Sequence, residues 1–105
     1  MFDFFANHIV LEGDYRLEDI KVEEELGRGN AHVYTATIKD NTYALKQIEI
    51  KNDYEYQSFL KEISTMQEIS KQTEWIVKYH GYMVTKVERN QYDKKKYAYI
   101  IMECA

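Results

Sequence analysis

The chain has 105 residues, 45% hydrophobic and 30% charged, with four glycines, so collagen-like, low-complexity and largely disordered organisations are excluded and one domain is expected. Lys and Arg number 14 against 18 Asp and Glu, and the net charge of -4 removes the overall positive field that general nucleic-acid or anionic-membrane binding uses. Cys104 is the single cysteine, so no internal disulfide forms and the apolar core must hold the chain, as in a reducing compartment.

Residues 1 to 16 carry Phe2, Phe4, Phe5, Ile9, Val10 and Leu11 without a clear period, and we read them as an extension that packs on something rather than as a defined element. Asp3, Asn7 and His8 interrupt these apolar residues and no basic region precedes them, which argues against a secretory signal. From Leu17, Ile20, Val22 and Leu26 alternate with Lys21, Glu23 and Glu25, predicting a half-buried strand that Gly27 and Gly29 break. A second strand is expected over His32 to Ile38, a turn at Lys39-Asp40-Asn41, and a third strand over Tyr43 to Ile50. Short connections between them imply an antiparallel meander.

The period then changes. Tyr56, Phe59, Leu60, Ile63, Met66 and Ile69 recur at three- and four-residue steps, predicting an amphipathic helix over residues 53 to 71. Asn52 followed by Glu55 is a capping-box pattern, in which each side chain satisfies an orphan backbone N–H. Trp75-Ile76-Val77-Lys78-Tyr79 leads into a fourth strand near Gly81 to Val87, Arg89 to Lys96 reads as a polar hairpin tip, and Tyr97 to Glu103 is the fifth strand. The expected fold is α+β, a five-stranded antiparallel sheet with one principal helix, with residues 1–16 as an extension and 17–105 as one unit. The longest apolar run, Tyr97 to Met102, is six residues, where a spanning helix needs about twenty. With no Asn-x-Ser/Thr acceptor either, a cytoplasmic or nuclear location is expected, with no membrane and no nucleic acid as partner.

Three features bear on chemistry. Gly27-x-Gly29 between two strands either permits a tight turn or lets the backbone approach a phosphate, and Asn30, Ala31 and His32 would not obstruct that approach. His32 itself reads as a loop residue. Lys46 shares a strand face with Ala44 and Ile48, so it lies at a solvated sheet edge or points at an anion in a cleft. Glu62 falls within the apolar stripe of the helix, three after Phe59 and four before Met66; it either snorkels at the stripe's margin or meets a buried partner, for which Lys46 is the candidate. Lys94-Lys95-Lys96 reads as solvated and is assigned no partner.

In order along the chain, Leu26-Gly27-Arg28-Gly29, Val33-Tyr34-Thr35-Ala36, Tyr43-Ala44-Leu45-Lys46, Glu62-Ile63, Ile76-Val77-Lys78-Tyr79 and Ile100-Ile101-Met102-Glu103 resemble the amino-terminal lobe of a eukaryotic protein kinase, from about residue 17 to 105. The resemblance implies a nucleotide site built from Leu26, Gly27, Gly29, Val33, Ala44, Lys46, Met102, Glu103 and Cys104. Gly27 and Gly29 would cover the phosphates, Val33 and Ala44 would hold the adenine from above, and Lys46, held by Glu62, would contact the α- and β-phosphates. Met102 would stand at the back of the adenine pocket, with Glu103, Cys104 and Ala105 opening the hinge. Met66 and Tyr79 would stack behind Glu62.

The loop departs from the family pattern in having four rather than five steps from its second glycine to Val33, and in lacking the third glycine. H-R-D, D-F-G and A-P-E do not occur in the 105 residues, which read as ending at the hinge. The expected function is the ATP-binding lobe of a protein kinase, serine/threonine-directed, with ATP as cofactor, Mg2+ only in a complete kinase, and a protein substrate bound through the other lobe. These residues alone are expected to be inactive, and to associate through the uncovered lobe face. A non-catalytic, pseudokinase-like binding module is the alternative.

Overall fold

The computed structural model describes residues 4–27, 32–72 and 78–103. Their elements in chain order are β1 (His8–Gly13), a single 3-10 turn (Leu17–Asp19), β2 (Ile20–Gly27), β3 (His32–Ile38), β4 (Asn41–Ile50), α1 (Asp53–Gln72), β5 (Tyr79–Glu88) and β6 (Lys94–Glu103). The strands form one antiparallel sheet in the order β1-β5-β6-β4-β3-β2.

The sheet therefore has six strands, and the expectation of five is corrected. The added strand, β1, lies within the segment read as having no defined element. It pairs with β5 as His8 to Val87, Ile9 to Lys86 and Val10 to Thr85, then slips register so that Glu12 meets Val84. Leu11 is the extra residue of a β-bulge, and the run Ile9-Val10-Leu11 shows no polar and apolar alternation that would have marked the strand. β6 also starts earlier than expected, because Lys94, Lys95 and Lys96 pair in the ladder with Glu88, Val87 and Lys86.

Alternation assigns the two faces. On one, Ile50, Val84, Ala98 and Ile100 close over Phe59 and Ile63 of α1. On the other, Ile20, Ala36, Ile38, Leu45, Met83, Tyr99 and Ile101 form a second cluster, covered by Phe4, Phe5, Tyr15 and Leu17 from the start of the chain. Phe4 meets Tyr34 edge-on with ring centroids 4.7 Å apart, and Phe5 meets Tyr99 at 5.7 Å. Tyr99 is fully buried beneath them, and its hydroxyl accepts from Gln47 Nε2 at 3.0 Å and lies 3.2 Å from His8 Nε2. Burial pushes the Tyr99 phenol well above its ordinary range, so it stays protonated and has a hydrogen to share.

Candidate functional site

α1 starts as its capping sequence dictates. The Glu55 N–H donates to Asn52 Oδ1 at 2.9 Å, and the Glu55 carboxylate reaches back to accept from the Lys51 N–H at 3.0 Å. Besides its apolar stripe, polar contacts spread along its length tie the helix to the sheet. Near its start the Tyr56 hydroxyl donates to the Glu12 carboxylate on β1. In the middle Lys46 Nζ donates to Glu62 Oε1 at 3.4 Å. Toward its end the Ser70 hydroxyl oxygen accepts from the Tyr79 N–H at 3.1 Å.

Lys46 and Glu62, the two residues expected to carry the chemistry, are thus brought together. Their side chains remain 32% and 42% exposed, so solvent screens the pair and its worth to stability is at most about 1 kcal/mol. An ammonium has three donors and Glu62 takes one, and among the described residues no other side chain takes the remaining two. A hollow of about 200 Å³ lined by Ile48, Glu55, Ser58, Phe59 and Glu62 lies beside them.

The strand register sets the neighbours of Lys46. Val33 on β3 and Ile100 on β6 are its cross-strand partners, and one step along the same face Ala44 lies between Thr35 and Met102. Val33, Ala44 and Met102 are each half-buried, and Met102 also packs against the helix-side cluster. Leu26, at the end of β2, is exposed. Gly27 pairs with Val33 across a register shift, and Glu103 ends β6 with its N–H donating to the Lys78 carbonyl at 2.8 Å. Gly29, Cys104, Ala105 and the lead-in Trp75-Ile76-Val77 lie outside the described residues. His32 opens β3, with Nδ1 3.3 Å from Glu25 Oε2. Met66 and Tyr79 both pack against the helix-side cluster.

Sequence reasoning missed the Glu12–Tyr56 contact. The bulge at Leu11 brings Glu12 onto the helix face, and its carboxylate pushes the Tyr56 hydroxyl up to about 12 by hydrogen bonding to the protonated form. No spacing rule links residues so far apart, and only the strand pairing reveals them.

No protein-family model matches the chain, and a search of curated proteins finds no match. Its own residues therefore carry the functional argument. Among the described residues no group of three or more His, Cys, Asp or Glu is placed to hold a metal ion, and no helix is long and apolar enough to cross a membrane.

Proposed function

We propose that the chain is the nucleotide-binding lobe of an ATP-dependent protein kinase, directed at serine or threonine. The observation that supports this most is the Lys46–Glu62 contact between β4 and α1, beside a half-buried apolar surface of Val33, Ala44 and Met102. A pair so accessible to solvent adds little to the fold, yet it holds one cation in a fixed place with donors to spare. In this reading the adenine lies against Val33, Ala44 and Met102, and the Lys46 ammonium meets the α- and β-phosphates. Glu62 limits the motion of that ammonium. The backbone around Gly27 and Gly29 approaches the phosphates, and the hinge from Glu103 to Cys104 offers backbone groups to the base. Transfer to a protein hydroxyl needs a base and magnesium ligands from a second lobe, so these residues alone bind nucleotide without consuming it.

The test is a titration of the purified chain with ATP and Mg2+, followed by amide chemical shifts. Shifts are expected at Ala44, Lys46 and Met102. Lys46→Met should weaken binding at least about tenfold while changing unfolding stability by less than about 1 kcal/mol. A wild-type chain whose shifts do not move at millimolar ATP refutes the proposal.

A further inference from the structure

A second surface lies at the far end of the sheet from Gly27. Strand register places Ile9 of β1, Lys86 of β5, Lys96 of β6 and Ile50 of β4 in one row across the face that carries α1. Lys86 and Lys96 are thus directly opposed, a like-charge pairing that destabilises an antiparallel ladder. Glu88 relieves part of this, lying 3.0 Å from Lys86 Nζ and 3.5 Å from Lys94 Nζ. Lys96 has no carboxylate at ion-pair distance among the described residues, and neither has Lys51.

These four lysines and Lys95 border a hollow of about 480 Å³ that is also lined by Ile50 and Tyr56. In a chain of net charge -4, five of the 14 basic residues meet here, against Glu49 and Asp53 alone among its acidic lining residues. At the β1 end of the row Ile9 is about half exposed, as is Leu11 on the same edge strand.

We propose that this surface binds an extended acidic segment of a partner protein, its carboxylates between Lys51, Lys86 and Lys96 and an apolar side chain against Ile9. Charge complementarity favours that occupant: carboxylates would separate the two opposed ammonium groups and remove the ladder's own repulsion. Glu49 and Asp53 within the lining, and the negative charge of the whole chain, oppose a continuous polyphosphate such as nucleic acid. The site lies on the same sheet face as Lys46 but shares no residue with the nucleotide site and does not depend on it.

Fluorescence anisotropy with three labelled probes tests this on the 105-residue chain: a peptide alternating Glu and Leu, the same peptide with Lys for Glu, and an oligothymidylate. Only the Glu peptide is expected to bind, with affinity falling about tenfold or more from about 50 to about 500 mM salt. Lys96→Glu should weaken it about tenfold or more while its unfolding midpoint stays at or above wild type, because Glu then opposes Lys86. Lys86→Glu should also weaken binding about tenfold or more, but with a lowered unfolding midpoint, because it loses the ion pair to Glu88. Absence of Glu-peptide binding, equal binding by the Lys peptide or the oligonucleotide, or Lys96→Glu binding within about twofold of wild type would each overturn the proposal.

Discussion

Tyr56 and Glu12 show how one side-chain pair can report on a helix. The Tyr56 hydroxyl ordinarily titrates near 10.0 and here is pushed up to about 12, first by the hydrogen bond to Glu12 and then by burial. A raised folded-state value means the contribution is fully present below the unfolded value and is lost as pH rises through the folded one. Urea unfolding at stepped pH should therefore show wild-type stability falling between about pH 10 and about pH 12 more steeply than that of Tyr56→Phe. Parallel curves for the two proteins would mean that the contact is not made. Gly13 is a second single-residue test, with φ at 140° and an added Cβ only 2.6 Å from Met83 Cα and the Tyr82 carbonyl oxygen. Gly13→Ala should cost on the order of 2 kcal/mol or more, measured as a drop in the urea midpoint.

The hairpin joining β3 and β4 turns in two residues, Lys39 at φ 50° and Asp40 at φ 68°, both left-handed. That pair of angles suits Asn-Gly far better than Lys-Asp, since a lysine there carries a Cβ penalty. Lys39→Asn with Asp40→Gly should raise unfolding stability by about 1 kcal/mol, read from the thermal midpoint, and a lowered midpoint would contradict the left-handed turn. The turn at Lys39-Asp40-Asn41 was legible because turn residues stand between two alternating runs. α1 was legible for a similar reason: its apolar period and its Asn52/Glu55 cap are local. β1 was not, because Ile9, Val10 and Leu11 are apolar in succession although Ile9 and Leu11 are about half exposed, so the six residues show no polar and apolar alternation. The start of β6 was hidden by charge, as three lysines suggest a loop while their backbone groups bond in the ladder regardless. Of the candidate site, the Lys46–Glu62 meeting followed from strand and helix periods, whereas the Glu12 tether and the opposed Lys86 and Lys96 depend on register that only pairing defines.

Across the whole molecule the sheet is two-sided, with α1 on one face and the chain's first segments on the other. Phe5 sits in that second cluster with Tyr99 against its ring, so Phe5→Ala should cost about 3 kcal/mol by leaving a cavity over Tyr99. Removing residues 1–13 should uncover the same face together with the β5 edge, producing concentration-dependent association in light scattering. A truncated chain that stays monomeric would show that β1 and Phe5 do not protect this surface.

Strand order also has a consequence in time. β1 and β2 are neighbours in the chain yet stand at opposite edges of the sheet, and among the described residues β1 pairs with β5, which comes after α1. On a ribosome, β1 is made before its partner and must wait while the β2-β3-β4 meander and α1 emerge, and it docks only once β5 is out. Local hairpins can form early, but closing the sheet is a late, long-range step that sets a slow limit on folding. Until then Phe4, Phe5 and the underside they will cover are both open to solvent, and that interval is when a newly made chain is most exposed to its neighbours.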